Sequence, residues 1–254
     1  MMRSTVVAAF VFATAASALG QAFNIDLGQP GTGPASSYAG AGLAGVWNAL
    51  PVTNMVPFMT GPHPNDFMLV DINGNQTGVG LHQYGGMDLT SLSDPSVLGD
   101  HAALMNDVLI THSASLETCV YLNGLQDGLY EVITYAWMPS QPSIMQRVRF
   151  DFIPETEDVG GAWPGQHIEG VTYSKYNVQV TNGFIGLHVG IPPGGNTHIG
   201  AAWNGMQIRP LGVDPVPAIS TWGAIIFAIV LLIAGTWTSQ KRQKSLFGRL
   251  QTSQ

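Results

Sequence analysis

The sequence predicts an all-β protein in which two sheets pack face to face. Short runs of β-branched and aromatic residues recur along the chain, separated by glycine, proline, asparagine and aspartate. Glycine (31) and proline (16) are abundant, charged residues make up only 10%, and the middle of the chain lacks long amphipathic helical periodicity. This is the pattern of a β-sandwich or β-barrel, and about ten strands with long loops favour two packed sheets.

The strands can be placed in order from their apolar patterns. They are expected at 22–27, 45–50, 66–71, 79–84, 108–111, 117–122, 130–138, 146–153, 173–181, 184–191 and 201–210. The stretch between 85 and 107 is expected to be irregular, with a short helical piece near 95–104. Asn73-Gly74 and Asn182-Gly183 should each close a hairpin, because both residue types tolerate the positive φ of tight turns.

The segment 146–153 shows how alternation assigns side chains to the two faces of a strand. Val148, Phe150 and Phe152 fall on one face, and the charged residues between them fall on the other. The apolar face is expected to point into the core.

The first twenty residues have the features of a secretory signal peptide. Arg3 supplies the positive charge, Thr5–Ala16 the apolar stretch, and small residues follow at a cleavage site near residues 16–20. The alternative, a first transmembrane helix, is weaker because the apolar run is only about a dozen residues long. Residues 1–20 are therefore assigned to a signal peptide, and the protein is expected to be exported.

The C-terminal region has the composition of a membrane anchor. Residues 219–238 carry no charge, and as a helix they would span roughly 30 Å, close to one hydrocarbon core. The tail at 239–254 is basic and begins with Lys241, Arg242 and Lys244. The positive-inside rule places this tail in the cytoplasm and the preceding domain outside.

A short motif precedes and overlaps the apolar helix, in the segment 214–223. Its residues are Val216, Pro217, Ser220, Trp222 and Gly223. With the helix and the basic cluster behind it, the motif resembles the C-terminal sorting tails of exported bacterial proteins, the PEP-CTERM class and above all its IPTL-CTERM relative. The resemblance implies recognition by an exosortase-like membrane protease, cleavage near the motif and transfer to the cell surface. A plain single-pass anchor with the same topology is the alternative.

The exported part, residues 21–213, is strongly acidic. All 16 acidic residues lie between Gln21 and Pro215, against four basic ones, which gives this segment a formal charge of −12. Such a surface repels phosphate backbones, so nucleic acid is excluded as a partner. The charge is compatible with calcium or with neutral glycans.

Two small motifs resemble those of jelly-roll, galactose-binding-like sandwiches. They are the turn formed by Gly124, Leu125, Gly128 and Tyr130, and the late strand 204–208. The resemblance implies a jelly-roll-like β-sandwich and carries over no binding residue.

The search for catalytic and metal-binding motifs is mostly empty. The sequence has no Gly-x-Ser-x-Gly, no His-Glu-x-x-His, no P-loop and no dinucleotide fingerprint. The seven histidines are scattered, and no two stand three or four residues apart. Cys119 is the single cysteine, expected to be buried, and no sequence neighbour offers it an activating partner. No cofactor is predicted.

The acidic composition is compatible with the binding of calcium. Asp71–Asn75 alternates oxygen-bearing residues as calcium loops do, but its glycine stands fourth rather than sixth. A hairpin turn explains the same residues more simply, so a structural calcium elsewhere stays an expectation without assigned ligands.

Aromatic residues provide the remaining functional hypothesis. Trp163 lies in a Gly/Pro-rich loop and is the candidate contact for a sugar ring, whereas Trp137 and Trp203 lie in strands and are expected in the core. The sequence thus favours a non-catalytic surface or matrix protein with a structural or glycan-binding role. A secreted polysaccharide hydrolase or lyase is the main alternative, and a protein-interaction module is the third.

Overall fold

The computed structural model describes residues 21–51, 66–84, 88–111, 117–139, 141, 143–195 and 200–211, which belong to one compact unit, Leu19–Gly212. The predicted signal peptide, linker, membrane helix and basic tail lie outside the described residues. Within the described ranges no helix is long and apolar enough to cross a membrane.

The described residues form one short helix and fourteen strands. The helix α1 is Asp100–Met105. The strands are β1 (Phe23–Leu27), β2 (Trp47–Leu50), β3 (Phe67–Val70), β4 (Gln76–Tyr84), β5 (Asp88–Ser91), β6 (Asp107–Ile110), β7 (Glu117–Asn123), β8 (Gly128–Tyr135), β9 (Gln146–Phe150), β10 (Thr156–Val159), β11 (Tyr173–Val180), β12 (Phe184–Gly190), β13 (Ala202–Trp203) and β14 (Gly205–Pro210).

The strands are organised in three sheets. The five-stranded sheet has the order β11-β8-β14-β1-β2, the six-stranded sheet β10-β9-β12-β7-β4-β3, and a small sheet β13-β6-β5. Pairing is antiparallel except between β1 and β2, which are parallel. The all-β prediction is confirmed, and the two large sheets form a sandwich.

The main core lies between the two large sheets. Ile25, Val132 and Ile208 come from the five-stranded sheet, while Val120 and Leu187 come from the six-stranded sheet, and all five belong to one buried cluster. Burying each such side chain contributes about 1.5–3 kcal/mol. This packing leaves the other face of each sheet for loops or for a functional site.

The outer face of the five-stranded sheet is covered by α1 and loops. Ile133, Tyr135 and Trp137 pack in a second cluster with Leu104 and Met105 of the helix. The chain through β8 is therefore apolar on both faces, which explains why its sequence pattern is the strongest. Trp137 and Trp203 are both fully buried, and Trp203 belongs to the main core. Their predicted core positions are therefore confirmed.

The first predicted hairpin is confirmed. Gly74 has a φ of 84°, and the turn joins β3 to β4, which pair antiparallel. The Asp71 carboxylate accepts hydrogen bonds from the backbone N–H groups of Asn73 and Asn75, each at 2.9 Å. The oxygen-rich residues of this segment thus serve the turn.

The second predicted hairpin is wrong, although its turn is present. Asn182 and Gly183 have φ values of 58° and 70°, as the sequence requires. However, β11 pairs with β8 and β12 pairs with β7 and β9, so the turn carries the chain from one sheet to the other. The turn residues specify the reversal but not the partner of each strand.

The sequence predicts about ten strands, whereas the described residues form fourteen: β5 lies in the stretch expected to be irregular, and β10 is not predicted. Two further differences concern the strands predicted at 146–153 and 201–210. The strand expected at 146–153 ends at Phe150, and Phe152 is 97% exposed instead of lying on the buried face. The strand expected at 201–210 is interrupted at Asn204, whose side chain accepts the N–H of Trp137 and donates to the carbonyl of Met105. The hydrogen bonds of Asn204 thus accompany the break between β13 and β14, whereas β9 ends at the turn Phe150–Ile153.

Candidate functional site

An open groove of about 760 Å³ lies at one end of the sandwich, where β7 and β9 end and β12 begins. It is bounded on one side by the Asn182-Gly183 turn and the end of β11. Its lining residues are Asn123, Gly124, Asp151, Phe152, Ile153, Val178, Gln179, Thr181, Asn182, Phe184, Ile185 and Gly186.

Phe152 is the most unusual residue of the groove. It occupies the third position of the turn Phe150–Ile153, in which the Ile153 N–H donates to the Phe150 carbonyl at 3.3 Å. Its φ is +65°, a conformation that favours glycine or asparagine at this turn position. A bulky aromatic side chain held there and 97% exposed carries a conformational cost without compensating burial. Such an arrangement points to a contact with something outside the chain.

The rest of the groove offers a second ring and several amides. Phe184 is half-buried and stacks on Tyr121, with ring centroids 5.6 Å apart and planes 23° from parallel. Asn123, Gln179 and Asn182 place amide groups around it. Apolar rings beside planar donors and acceptors can bind a ligand that has both apolar faces and hydroxyl groups.

Asp151 is the carboxylate of the groove, and its position is fixed by the neighbouring strand. Its backbone N–H donates to the Gly186 carbonyl at 2.9 Å, and its carboxylate packs so closely over Gly186 that a Cβ there would collide with it. The carboxylate also lies 2.8 Å from Nε2 of His188. Asp151 therefore connects the groove to a cluster of charged residues on the same sheet.

The charged cluster consists of Glu117, Cys119, Arg149, Asp151 and His188. Nδ1 of His188 lies 3.0 Å from the Cys119 sulfur and 3.4 Å from Oε2 of Glu117. Burial alone would lower the pKa of His188, but its bonds to Cys119, Glu117 and Asp151 outweigh burial and raise the pKa to about 10. The bond to His188, together with Arg149 against the opposing effect of burial, lowers the pKa of Glu117 to about 2. The two carboxylates thus favour the protonated form of the His188 ring.

The charged cluster shows the surroundings of Cys119, the single cysteine. The cysteine is 9% exposed, which confirms that it is buried, and its hydrogen-bonding partner His188 comes from β12, 69 residues further along the chain. Glu117, Cys119 and His188 also bring three possible metal ligands within 4.8 Å of one another. Nη2 of Arg149 lies 2.6 Å from Glu117 and 3.1 Å from His188, so a positive charge already occupies the place of a cation.

Trp163 lies on the outer side of the five-stranded sheet, not in the groove. It is half-buried and packs against Trp137, with ring centroids 5.7 Å apart. Its other neighbours are His101 and His167, at centroid distances of 5.2 and 5.5 Å. Its contact with a glycan stays a prediction.

The residues beside Trp163 form a second polar group, the histidine cluster of Tyr38, His101 and His167. Burial, with a smaller effect of His101, lowers the pKa of His167 to about 3. Burial also lowers the pKa of His101, against the opposing charge of Asp100. Both imidazoles are therefore neutral at pH 7. No sequence motif predicts this cluster, because 66 residues separate the two histidines.

The other predicted site residues lie outside the described part of the chain. They are the sorting motif Val216, Pro217, Ser220, Trp222 and Gly223, and the topology-determining residues Lys241, Arg242 and Lys244. Their roles stay predictions.

Comparison with known proteins gives distant similarities in fold only. No protein-family model and no curated protein matches the sequence. A plant RALF23 peptide complex with FER and LLG2 is similar with a TM-score of 0.40 and 12% identity, covering 76% of this chain and 40% of that chain.

Two further solved structures come from carbohydrate-active proteins. A family 35 carbohydrate-binding module from Clostridium thermocellum has a TM-score of 0.31 and 10% identity, covering 50% of this chain and 90% of the module. An exo-β-1,3-galactanase from Phanerochaete chrysosporium has a TM-score of 0.30 and 15% identity, covering 56% of this chain and 32% of the enzyme. At these TM-scores nothing about the function of this chain follows from them.

Proposed function

We propose that the exported domain binds a neutral glycan in the groove and serves as a non-catalytic component of the cell surface or extracellular matrix. The observation that carries this proposal is Phe152, an exposed aromatic ring held in a strained turn at the rim of the groove. Its ring provides an apolar face on which a sugar ring can stack.

The groove chemistry supports a sugar as the ligand. Phe152 and Phe184 provide rings, and the exposed amides of Gln179 and Asn182 can donate to and accept from hydroxyl groups. A groove of about 760 Å³ is within the size range of small-ligand sites and has room for a short oligosaccharide.

The charge distribution selects a neutral glycan over an anionic one. Asp151 lines the groove, and the lining residues that the structure describes include no lysine or arginine. The segment from Gln21 to Pro215 carries a formal charge of −12. Both the local and the overall charge therefore repel carboxylated or sulfated polysaccharides.

The alternative of a polysaccharide hydrolase requires a second acid. The usual glycosidase mechanism uses two carboxyl groups about 5 or 6.5–9.5 Å apart across the scissile bond. Asp151 is the single carboxylate among the described lining residues, and it is engaged by His188. The groove thus favours binding over hydrolysis.

The first test is retention of the purified protein on immobilised polysaccharides. We expect affinity for at least one neutral polysaccharide and none for its carboxylated or sulfated counterparts. Gln179→Ala should weaken the binding about tenfold, because it removes an amide that faces the ligand. Gln29→Ala, which removes an exposed glutamine from a loop outside the groove, is the matched control. Retention on acidic polysaccharides alone would contradict the proposal.

The chain ends support a proposal for the route to the surface. A signal peptide at 1–20 would export the domain, and the segment 216–223 would direct an exosortase-like protease to release it from the membrane. A structural calcium ion remains part of the proposal without assigned ligands.

Replacing Pro217 or Trp222 by Ala is expected to leave the precursor unprocessed in the membrane. Both residues belong to the motif that the protease would recognise, whereas Ser245→Ala, beyond the helix and the basic cluster, should be processed normally. The measurements are the mass of the mature protein and its distribution between membrane and surface fractions. If the mature surface protein keeps its C-terminal tail, the segment 216–223 is part of a plain membrane anchor and not a sorting signal.

A further inference from the structure

Three polar side chains from separate parts of the chain converge beside Trp163. Tyr38 comes from the loop between β1 and β2, His101 from α1, and His167 from the loop between β10 and β11. The Tyr38 hydroxyl lies 2.6 Å from Nδ1 of His101 and 2.5 Å from Nε2 of His167. The two ring nitrogens are 3.2 Å apart. Three potential ligand atoms thus surround one point.

The spacing of these atoms fits the coordination sphere of a small transition-metal ion. Metal–nitrogen bonds of about 2.0–2.1 Å in a tetrahedral site place the ligand atoms about 3.3 Å apart. The two imidazole nitrogens already have this separation. The phenol oxygen lies about 0.7 Å closer to both nitrogens than this spacing, so binding of a metal ion requires the half-buried Tyr38 ring to move outward.

Hydrogen bonds outside the three ligand atoms hold the residues in place. Nδ1 of His167 lies 3.3 Å from the Thr172 hydroxyl, which directs Nε2 toward the cluster. The indole N–H of Trp47 donates to the Tyr38 carbonyl at 3.2 Å, and Oδ1 of Asp100 accepts the Ala35 N–H at 2.9 Å. The loop and the helix are therefore fixed to each other without using the three ligand atoms.

We propose that Tyr38, His101 and His167 form a binding site for a divalent transition-metal ion, of the class that Zn²⁺ and Cu²⁺ represent. Imidazole nitrogens suit both ions, and the phenol oxygen supplies a third donor atom. Three protein ligands leave a further position for water. The ion would connect two long loops to α1 on the outer side of the five-stranded sheet, away from the groove.

The same atoms can also be satisfied by hydrogen bonds alone, and this is the outcome that the experiment must distinguish. The tyrosine hydroxyl has one proton, so it can donate to one imidazole only and must accept from the other. In that case the cluster would bind no metal and would only hold the loops together.

The test is calorimetric titration of Zn²⁺ into the purified protein at pH 7.5 after removal of metals with EDTA. We expect one ion per chain with a dissociation constant of about 1 μM or lower. His101→Gln and His167→Gln should each weaken binding at least tenfold, and Tyr38→Phe should weaken it while the ring packing stays. Cys119→Ser, which removes the thiol of the charged cluster, should bind Zn²⁺ as the natural sequence does.

A second measurement does not depend on variants of the ligands. Cu²⁺ quenches indole fluorescence at short range, and Trp163 lies next to both histidines. We expect stoichiometric quenching that falls sharply in Trp163→Phe, whose ring still fills the same position. Absence of Zn²⁺ binding by the natural sequence, or binding that is lost with Cys119→Ser and kept in both histidine variants, would overturn the proposal.

Discussion

The domain is expected to lose several kcal/mol of stability between pH 5 and pH 8.5, and Asp26→Asn should abolish most of this loss. Asp26 lies on β1 with its side chain fully buried, and among the described residues no donor makes a well-formed hydrogen bond to either carboxyl oxygen. Burial, reinforced by the nearby charge of Asp107, raises its pKa to about 9 against the weaker opposing effect of the Leu27 N–H.

The sign of the effect follows from where the proton is held. In the unfolded chain an aspartate ionises near pH 3.9, whereas the folded domain keeps the Asp26 proton until about pH 9. Between these values the folded state binds more protons than the unfolded state, so stability falls as the pH rises. Each pKa unit corresponds to about 1.4 kcal/mol, and several units separate the two states. The neutral amide of Asn carries no such dependence.

The measurement is urea unfolding of both proteins at pH 5 and pH 8.5. EDTA should be present, so that no cation replaces the proton between Asp26 and Asp107. We expect the variant to be the more stable protein at pH 8.5, with the advantage shrinking at pH 5. Glu155→Gln, which removes an exposed carboxyl group, is the control and should follow the natural sequence. Parallel stability–pH curves for Asp26→Asn and the natural sequence would show that Asp26 is ionised in the fold.

The sequence predicts most strands of this sandwich, because most carry a local apolar pattern, but it misses the polar strands β5 and β10. It does not predict how those strands are distributed between the sheets. The Asn182-Gly183 turn has the φ values expected of a tight reversal, yet β11 and β12 join different sheets. Both strands are apolar on the core face, so the alternation is the same whichever sheet each joins. The difference is decided by contacts between distant residues.

The candidate sites cannot be predicted from the sequence either, because they too depend on contacts between distant residues. Cys119 lies on β7, His188 on the adjacent β12 and Asp151 just beyond the end of β9, and their spacing along the chain follows no motif. His101 and His167 likewise come from a helix and a loop. The sequence predicts a ligand contact at Trp163 because this residue lies in a loop. It predicts a buried position for Phe152, because this residue continues the alternation of β9. The turn that exposes Phe152 is closed by the bond from the Ile153 N–H to the Phe150 carbonyl, which the alternating sequence pattern does not predict.

Phe152→Gly is expected to weaken glycan binding at least tenfold while leaving the domain as stable or up to about 1 kcal/mol more stable. A bulky residue at φ +65° costs about 1–2 kcal/mol, and glycine removes this cost while adding up to about 1 kcal/mol of backbone entropy. Because the ring is 97% exposed, its removal loses little packing. Loss of the stacking ring should affect only ligand binding, whose free energy should become less favourable by about 1.4 kcal/mol or more.

Weaker glycan binding without a loss of stability distinguishes a binding residue from a structural one. Phe150→Ala, two residues earlier, removes a ring that is 2% exposed and should destabilise the domain by about 3–5 kcal/mol. Phe152→Tyr should keep both the binding and the strain, since it retains the ring in the same turn. Urea unfolding gives the stability, and titration with the polysaccharide retained in the first test gives the affinity. If Phe152→Gly were less stable than the natural sequence and bound the glycan equally well, the strained turn would be a feature of folding, and the groove would lose its principal contact.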